Sequence, residues 1–332
     1  MTKSQTNPTI TALKVIATFL VVYIHGANIF GYAGLDAPIL FKPFFSLADA
    51  AVPVFMLVSG YLLFRKEIVW KENLKKKIFR LAVPFLIWSC FWILIEAVGY
   101  IVMPDKFENV FSWSVSNWFL KIIGIPFYVS PLYRPLWYVR DLFLLSIIAP
   151  FFQKPLKRFP TLFAIIAIGV WFLPLSNSLR EAITFFILGG VIATQTKVLG
   201  LIRRNCTILV LFLSLALGVG LSLLYNDYCY RLSILFMVFA VYIGCVSMSC
   251  YSIFRRICSC LIPYSFAIYV LHGKLLSIIQ ILYTRKFASN ASTYLGYFIL
   301  PFLVFWVCYF IALLFKKVGL KLFTVSMGEL KI

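Results

Sequence analysis

Lys14 and His25 are the residues of this chain best placed to do chemistry. They lie eleven positions apart in one apolar segment that runs from Ala12 to His25. At about 100° per residue, eleven steps return to within roughly 20° of the start, so Lys14, Thr18, Val21 and His25 share one helix face. About 16 Å of helix separates the cation from the imidazole. An ionisable group inside a membrane helix is costly, and its default reading is functional. An imidazole has a reference pKa near neutrality, which suits a general base. The ammonium can meet a phosphate as a point charge. The plainer alternatives are a histidine that only satisfies a neighbouring helix and a lysine that snorkels to the membrane surface.

Other polar residues stand in apolar surroundings. Asn28 is three positions beyond His25 and shares a face with it, so it can orient the ring or touch a substrate. His272, the only other histidine, sits in Ile268–Gly273. It either lines the same cavity as His25 or bonds between helices. Pro53 and the Ser59-Gly60 pair fall inside one apolar run, where they permit close approach of a ligand or of another helix. Asp49 and Glu96 are acidic groups of similar runs. Trp137, Arg140 and Asp141 open a further segment. Arg140 and Asp141 are adjacent and point about 100° apart, which favours partners on other helices over each other. Either an ion pair or a substrate clamp fits. Arg80 follows Lys75-Lys76-Lys77, a cluster that can receive an anionic cytosolic ligand or simply set topology beside anionic lipid. The sequence has no zinc, phosphate-loop or dinucleotide motif, and no metal is expected.

The elements that must position these residues follow from composition. The 332 residues are 62% hydrophobic and only 13% charged, against about 25% charged in soluble domains. This implies an all-α polytopic membrane protein, read as one transmembrane domain over 1–332 with no appended soluble domain. Ten apolar segments near the length of a membrane helix occur at about 10–31, 44–64, 79–102, 135–152, 161–174, 181–196, 206–225, 231–251, 262–283 and 293–316. Pro174 is expected to end the fifth. The first carries no cleavage-site pattern and is expected to persist as a membrane helix.

With the N-terminus inside, every inner connection is basic. The inner residues include Lys3, Arg65, Lys66, Lys71, Lys154, Lys157, Arg158, Lys197, Arg203, Arg204, Arg255, Arg256, Lys316, Lys317, Lys321 and Lys331. That bias predicts about ten transmembrane helices with both termini cytosolic. It also accounts for the net charge of +20 without a nucleic-acid partner. Cys206, Cys250, Cys258 and Cys260 fall near these basic ends, where disulfides are rare. The long outer connection, about 103–134, holds Lys106, Trp113, Trp118, Phe119 and Tyr128 and reads as an interfacial segment.

The chain resembles the integral-membrane acyltransferase-3 family, the bacterial O-acyltransferases of cell-surface glycans. The likeness rests on Lys14, ten residues, then His25, where the family has arginine in the first place. It rests also on Pro53 to Gly60 with Tyr61-Leu62-Leu63-Phe64-Arg65, on Arg80-Leu81-Ala82-Val83-Pro84, on Pro135 to Asp141 and on Ile268 to His272. It implies a bacterial inner-membrane bundle that takes an acyl group, usually acetyl, from cytosolic acyl-CoA. The acceptor it implies is a sugar hydroxyl of a surface polysaccharide or of its lipid-linked precursor. It assigns catalysis to His25 and handling of acetyl-CoA, or another acyl-CoA, to the Lys14 position, with Arg80 near the donor phosphates. Ser59, Asn28, Trp137, Arg140, Asp141 and His272 are the expected substrate-side or supporting residues. Lysine in place of arginine keeps the charge and loses the planar bidentate fork. A flippase of a lipid-linked glycan, or a glycan polymerase, would also need polar groups at membrane depth. Neither needs His25 aligned with a basic donor site.

Overall fold

The computed structural model describes residues 7–105, 107–125, 129–195, 208–287, 289–318 and 325–327. Of the sequence expectations, those on Lys3, Lys106, Tyr128, Lys197, Arg203, Arg204, Cys206, Lys321 and Lys331 lie outside these residues. The described chain is helical, and its one β-bridge joins Ile125 to Val129. Contacts divide it into two compact units, Met1–Val58 with Ile192–Leu314, and Ser59–Val191 with Phe315–Ile332.

The first unit is organised around α1 (Pro8–Gly26). Asn7 caps its start by accepting from the Thr9 N–H at 3.0 Å, and Pro8 occupies the first turn, where a missing N–H is harmless. The short α2 (Asn28–Tyr32) follows a lapse at Ala27. A second broken pair is α3 (Lys42–Asp49) and α4 (Ala51–Phe64), which part at Ala50. Pro53 lies in the first turn of α4 and so removes no internal bond.

The later helices of this unit are α11 (Ile208–Ser222), α12 (Asp227–Met248), α13 (Ser252–Leu261), α14 (Ser265–Lys286) and α15 (Asn290–Lys317). Helix α1 packs against α3, α12, α13 and α14. Where a membrane offers no hydrophobic drive between helices, small and hydroxyl residues hold them. Ser46 of α3 and Ser233 of α12 are 2.6 Å apart, oxygen to oxygen. Gly218 meets the Met237 side chain where any Cβ would crowd it. Phe30, Phe41, Phe45 and Tyr297 form an aromatic cluster with ring centroids 5.1–6.3 Å apart.

The second unit holds α5 (Trp70–Lys77), α6 (Val83–Val102), α7 (Val115–Ile122), α8 (Trp137–Arg158), α9 (Pro160–Phe172) and α10 (Asn177–Thr194). A π turn, Ile78–Ala82, joins α5 to α6 and carries Arg80. Gln153 of α8 fastens the preceding loop. Its amide donates to Lys66 O at 2.6 Å and accepts from the Ile68 N–H at 3.0 Å. Asn73 donates to Ser146 O at 2.7 Å. Gly60 packs so close to α10 that an added Cβ would lie 2.1 Å from Phe186 O, so this glycine serves tight helix packing.

Each of the ten expected segments contains a helix. Helix α9 ends at Phe172, with Leu173 extended before Pro174, as the proline requires. Among the described residues, seven runs are long and apolar enough to cross a membrane, namely Pro8–Tyr32, Ile39–Phe64, Trp70–Val102, Arg134–Arg158, Asp227–Met248, Ser252–Lys286 and Asn290–Lys317. Pro160–Phe172 and Ile208–Ser222 are apolar but shorter. Asn177–Thr194 carries Arg180 and Glu181 near its start and is not among the seven.

Candidate active site

His25 stands in the last turn of α1, just before the lapse at Ala27. The last carbonyls of a helix lack internal partners. Gln280 of α14 supplies one, its amide donating to Gly26 O at 2.8 Å and reaching His25 O at 3.4 Å. The backbone that carries the half-buried His25 ring is therefore tied to a second helix. Gly26 lies so close to Pro301 of α15 that a Cβ would sit 2.9 Å from the proline ring, which holds the same turn from another side.

The His272 ring faces His25, with centroids 5.1 Å apart and planes at 48°. His272 is fully buried. Its Nδ1 lies 3.1 Å from Ile268 O. A carbonyl can only accept, so Nδ1 carries the proton and Nε2 presents a bare lone pair. That Nε2 is buried and has no hydrogen-bond partner among the described residues, as is the case for Oε1 of Gln280. Two acceptor atoms thus converge on the His25 end of α1.

Lys14 occupies the expected face of the same helix and is half-buried. Its ammonium meets no carboxylate among the described residues, which suits an anionic ligand. Thr18, between them, donates its hydroxyl to Lys14 O at 2.8 Å and so closes on its own helix. Asn28 departs from expectation. The lapse at Ala27 places it at the start of α2, where its exposed side chain has no hydrogen-bond partner among the described residues, so it does not orient the ring.

The remaining expected site residues belong to the second unit. Ser59 Oγ and Tyr138 OH are 3.3 Å apart. Tyr138 packs edge-on to Trp137 at 6.4 Å. Arg80 is exposed on the π turn. Arg140 and Asp141, expected to seek other helices, pair with each other, Nε to Oδ1 at 2.6 Å. The 100° between adjacent Cβ directions is overcome by the length of the arginine. The same guanidinium also donates through NH1 to Ile123 O at 2.8 Å and to Val129 O at 2.7 Å. These bonds close the turn at Gly124, whose φ of 70° suits glycine. The pair is 5% and 0% exposed. It is a buried structural clamp.

Sequence reasoning missed Gln280, whose only signal was an uncharged amide in an apolar run. It missed Tyr230 as well, which donates to Asp49 Oδ2 at 2.7 Å across a separation of 181 residues.

An all-helical chain with seven apolar runs long enough to cross a bilayer and a histidine pair at a helix break has the architecture of a polytopic membrane enzyme. The acyltransferase-3 family, described as the acyltransferase domain, matches over residues 7–315, and the chain belongs to it. It is 29% identical over 195 residues to the succinoglycan biosynthesis protein ExoH of Rhizobium meliloti (strain 1021). That match covers 54% of this chain and 51% of the relative, so the chain spans about half the length of the curated protein it matches. No solved structure matches.

Proposed function

We propose that this protein is a membrane O-acyltransferase with His25 as general base. It moves an acyl group, in the simplest case acetyl, from cytosolic acyl-CoA to a sugar hydroxyl of a surface polysaccharide or its lipid-linked precursor. The observation that carries this reading is the His25 site. A half-buried imidazole stands at a pinned helix break against a fully buried His272, with Lys14 on the same face of the same helix. The family supports acyl transfer, and the name of the Rhizobium relative supports a glycan acceptor.

The acyl donor supplies an activated thioester. Lys14 draws its phosphates as a point charge, and Arg80 presents an exposed cation on its own unit. His25 takes the proton from the attacking hydroxyl, and the freed oxygen attacks the thioester carbonyl. Loss of the thiolate completes the transfer, and the thiolate takes the proton back from His25, which restores the base. The Nε2 lone pair of His272, which has no partner among the described residues, is open to a hydrogen bond from a bound reactant. Both chain ends lie in the cytosol of a bacterial cell, and the protein resides in the inner membrane. The test is release and transfer of label from radiolabelled acetyl-CoA by protein in liposomes, wild type beside His25→Ala. Folded His25→Ala protein with full activity would remove the assignment. Inactivity of the wild type with acetyl-, succinyl- and longer acyl-CoA, with glycans supplied, would remove the donor.

A further inference from the structure

A second polar site lies in the first unit, on another face of α1. A cavity of about 210 Å³ is bounded by Tyr23 and Ile24 of α1, by Ala27 at its lapse, by Phe45, Ala48 and Asp49 of α3 and by Tyr230 of α12. At about 100° per residue, His25 points roughly 160° from both Tyr23 and Ala27 and about 100° from Ile24, so the ring turns away from this space.

Three observations single it out. The first is the carboxylate. An acidic group within a membrane helix is costly and by default marks a ligand or ion path. Asp49 takes one hydrogen bond, from Tyr230 to Oδ2 at 2.7 Å, and Oδ1 takes none among the described residues. The second is the backbone. Helix α1 lapses at Ala27 and α3 gives way to α4 at Ala50, and Ala27, Ala48 and Asp49 all line the cavity. Irregular backbone at membrane depth is tolerated where it is buried in protein or lines a polar cavity, and paired helix breaks are a recurrent way to build a binding site. The third is the wall. Tyr23 and Phe45 offer aromatic faces, and Tyr297, a buried tyrosine whose hydroxyl has no hydrogen-bond partner among the described residues, packs against both at 6.1 and 5.5 Å.

We propose that Asp49, held by Tyr230, and the cavity it lines form a subsite for one hydroxyl-bearing sugar ring of the acceptor, distinct from the ring that is acylated. A free carboxylate oxygen accepts from sugar hydroxyls, Tyr230 fixes the carboxylate's direction, and the aromatic faces cover the apolar face of the ring. The volume holds about seven waters at roughly 30 Å³ each, room for a single ring and not for a chain of them. The inference rests on the acyl-transfer reading for the identity of the acceptor. It adds that the enzyme reads a neighbouring sugar as well as the one it modifies.

The test measures binding without any acyl donor. Full-length protein in nanodiscs is titrated with methyl β-D-glucopyranoside and methyl β-D-galactopyranoside, followed by saturation-transfer NMR, for wild type, Asp49→Asn and Tyr230→Phe. Wild type should bind at least one glycoside saturably. Asp49→Asn should weaken it by about tenfold or more, the size expected for hydrogen bonds to a charged group. Tyr230→Phe, which removes one oxygen and is the milder change, should weaken it severalfold. Absence of binding to wild type, equal affinity in both folded variants, or displacement by equimolar tetramethylammonium would each overturn the subsite. The last would assign the cavity to a cation instead. His25-dependent acyl-CoA turnover on the same preparations fails or survives separately, so the two ideas fall independently.

Discussion

Two regions of this molecule bury strong polar groups, and they do so to opposite ends. Around Arg140 and Asp141 the groups satisfy each other. The carboxylate holds the guanidinium, and the guanidinium holds two loop carbonyls. Around His25 the groups stop short. His272 binds its own helix through Nδ1 and leaves Nε2 bare, and Gln280 gives its N–H to α1 and leaves Oε1 bare. A buried acceptor without a donor is unfavourable by roughly 1–3 kcal/mol. The first region spends its polarity on shape, and in the second it stays available, as the proposed function asks of a site that receives a reactant.

This contrast can be broken at either region. The largest expected effect is at His25, where Ala should lower transfer by about 10²- to 10⁴-fold, the usual range for general-base catalysis. Thermal stability measured in the same membranes should stay near wild type, since the half-buried ring helps fill a site and does not close a clamp. Asp141→Ala should do the reverse. Stranding the buried Arg140 should destabilise by about 3–5 kcal/mol, read as a lower Tm and poor yield. Replacing both partners with leucine should recover part of that loss. Should Asp141→Ala leave Tm unchanged, the clamp reading would be wrong.

A finer test acts on the bare acceptor of His272. His272→Phe keeps the volume and removes the lone pair, and should lower kcat roughly tenfold with KM for the donor little changed. His272→Gln can place an amide oxygen near the Nε2 position and should restore much of the rate. Equal activity in the two variants would reduce His272 to packing. The smallest effect belongs to Asn28, exposed on the far side of the Ala27 lapse. Asn28→Ala should leave kcat/KM within about twofold, because a surface change away from special features is worth little.

Much of this was legible in the residue order. Each of the ten apolar runs held a helix, though α5, α7 and α13 lay outside them, Pro174 marked a stop, and the spacing of Lys14 and His25 placed both on one helix face. What escaped was set by distance and by side-chain reach. At Ala27 the only local signal of a break is the preceding Gly26, and the partner that accommodates it, Gln280, is 254 residues away from Gly26. The Arg140–Asp141 pair defied the angular rule because that rule counts Cβ directions, whereas a guanidinium extends several bonds beyond its Cβ. The Asp49 cavity needed α1, α3 and α12 together before a carboxylate in a hydrophobic run acquired surroundings.

The π turn at Ile78–Ala82 is a phase slip. A π turn absorbs one residue more than the α-helix around it, so the basic face of Trp70–Lys77 is rotated by about 100° from where an unbroken helix into Val83–Val102 would put it. A helix of this kind is what a single-residue insertion leaves behind when the fold swallows it instead of breaking. Deleting one residue there would give a smooth helix and turn Lys71, Lys75 and Lys76 to a different side. It would also pull Asn73 off Ser146 O, so the direction those charges face is locked to the packing of α5 on α8 by a single residue.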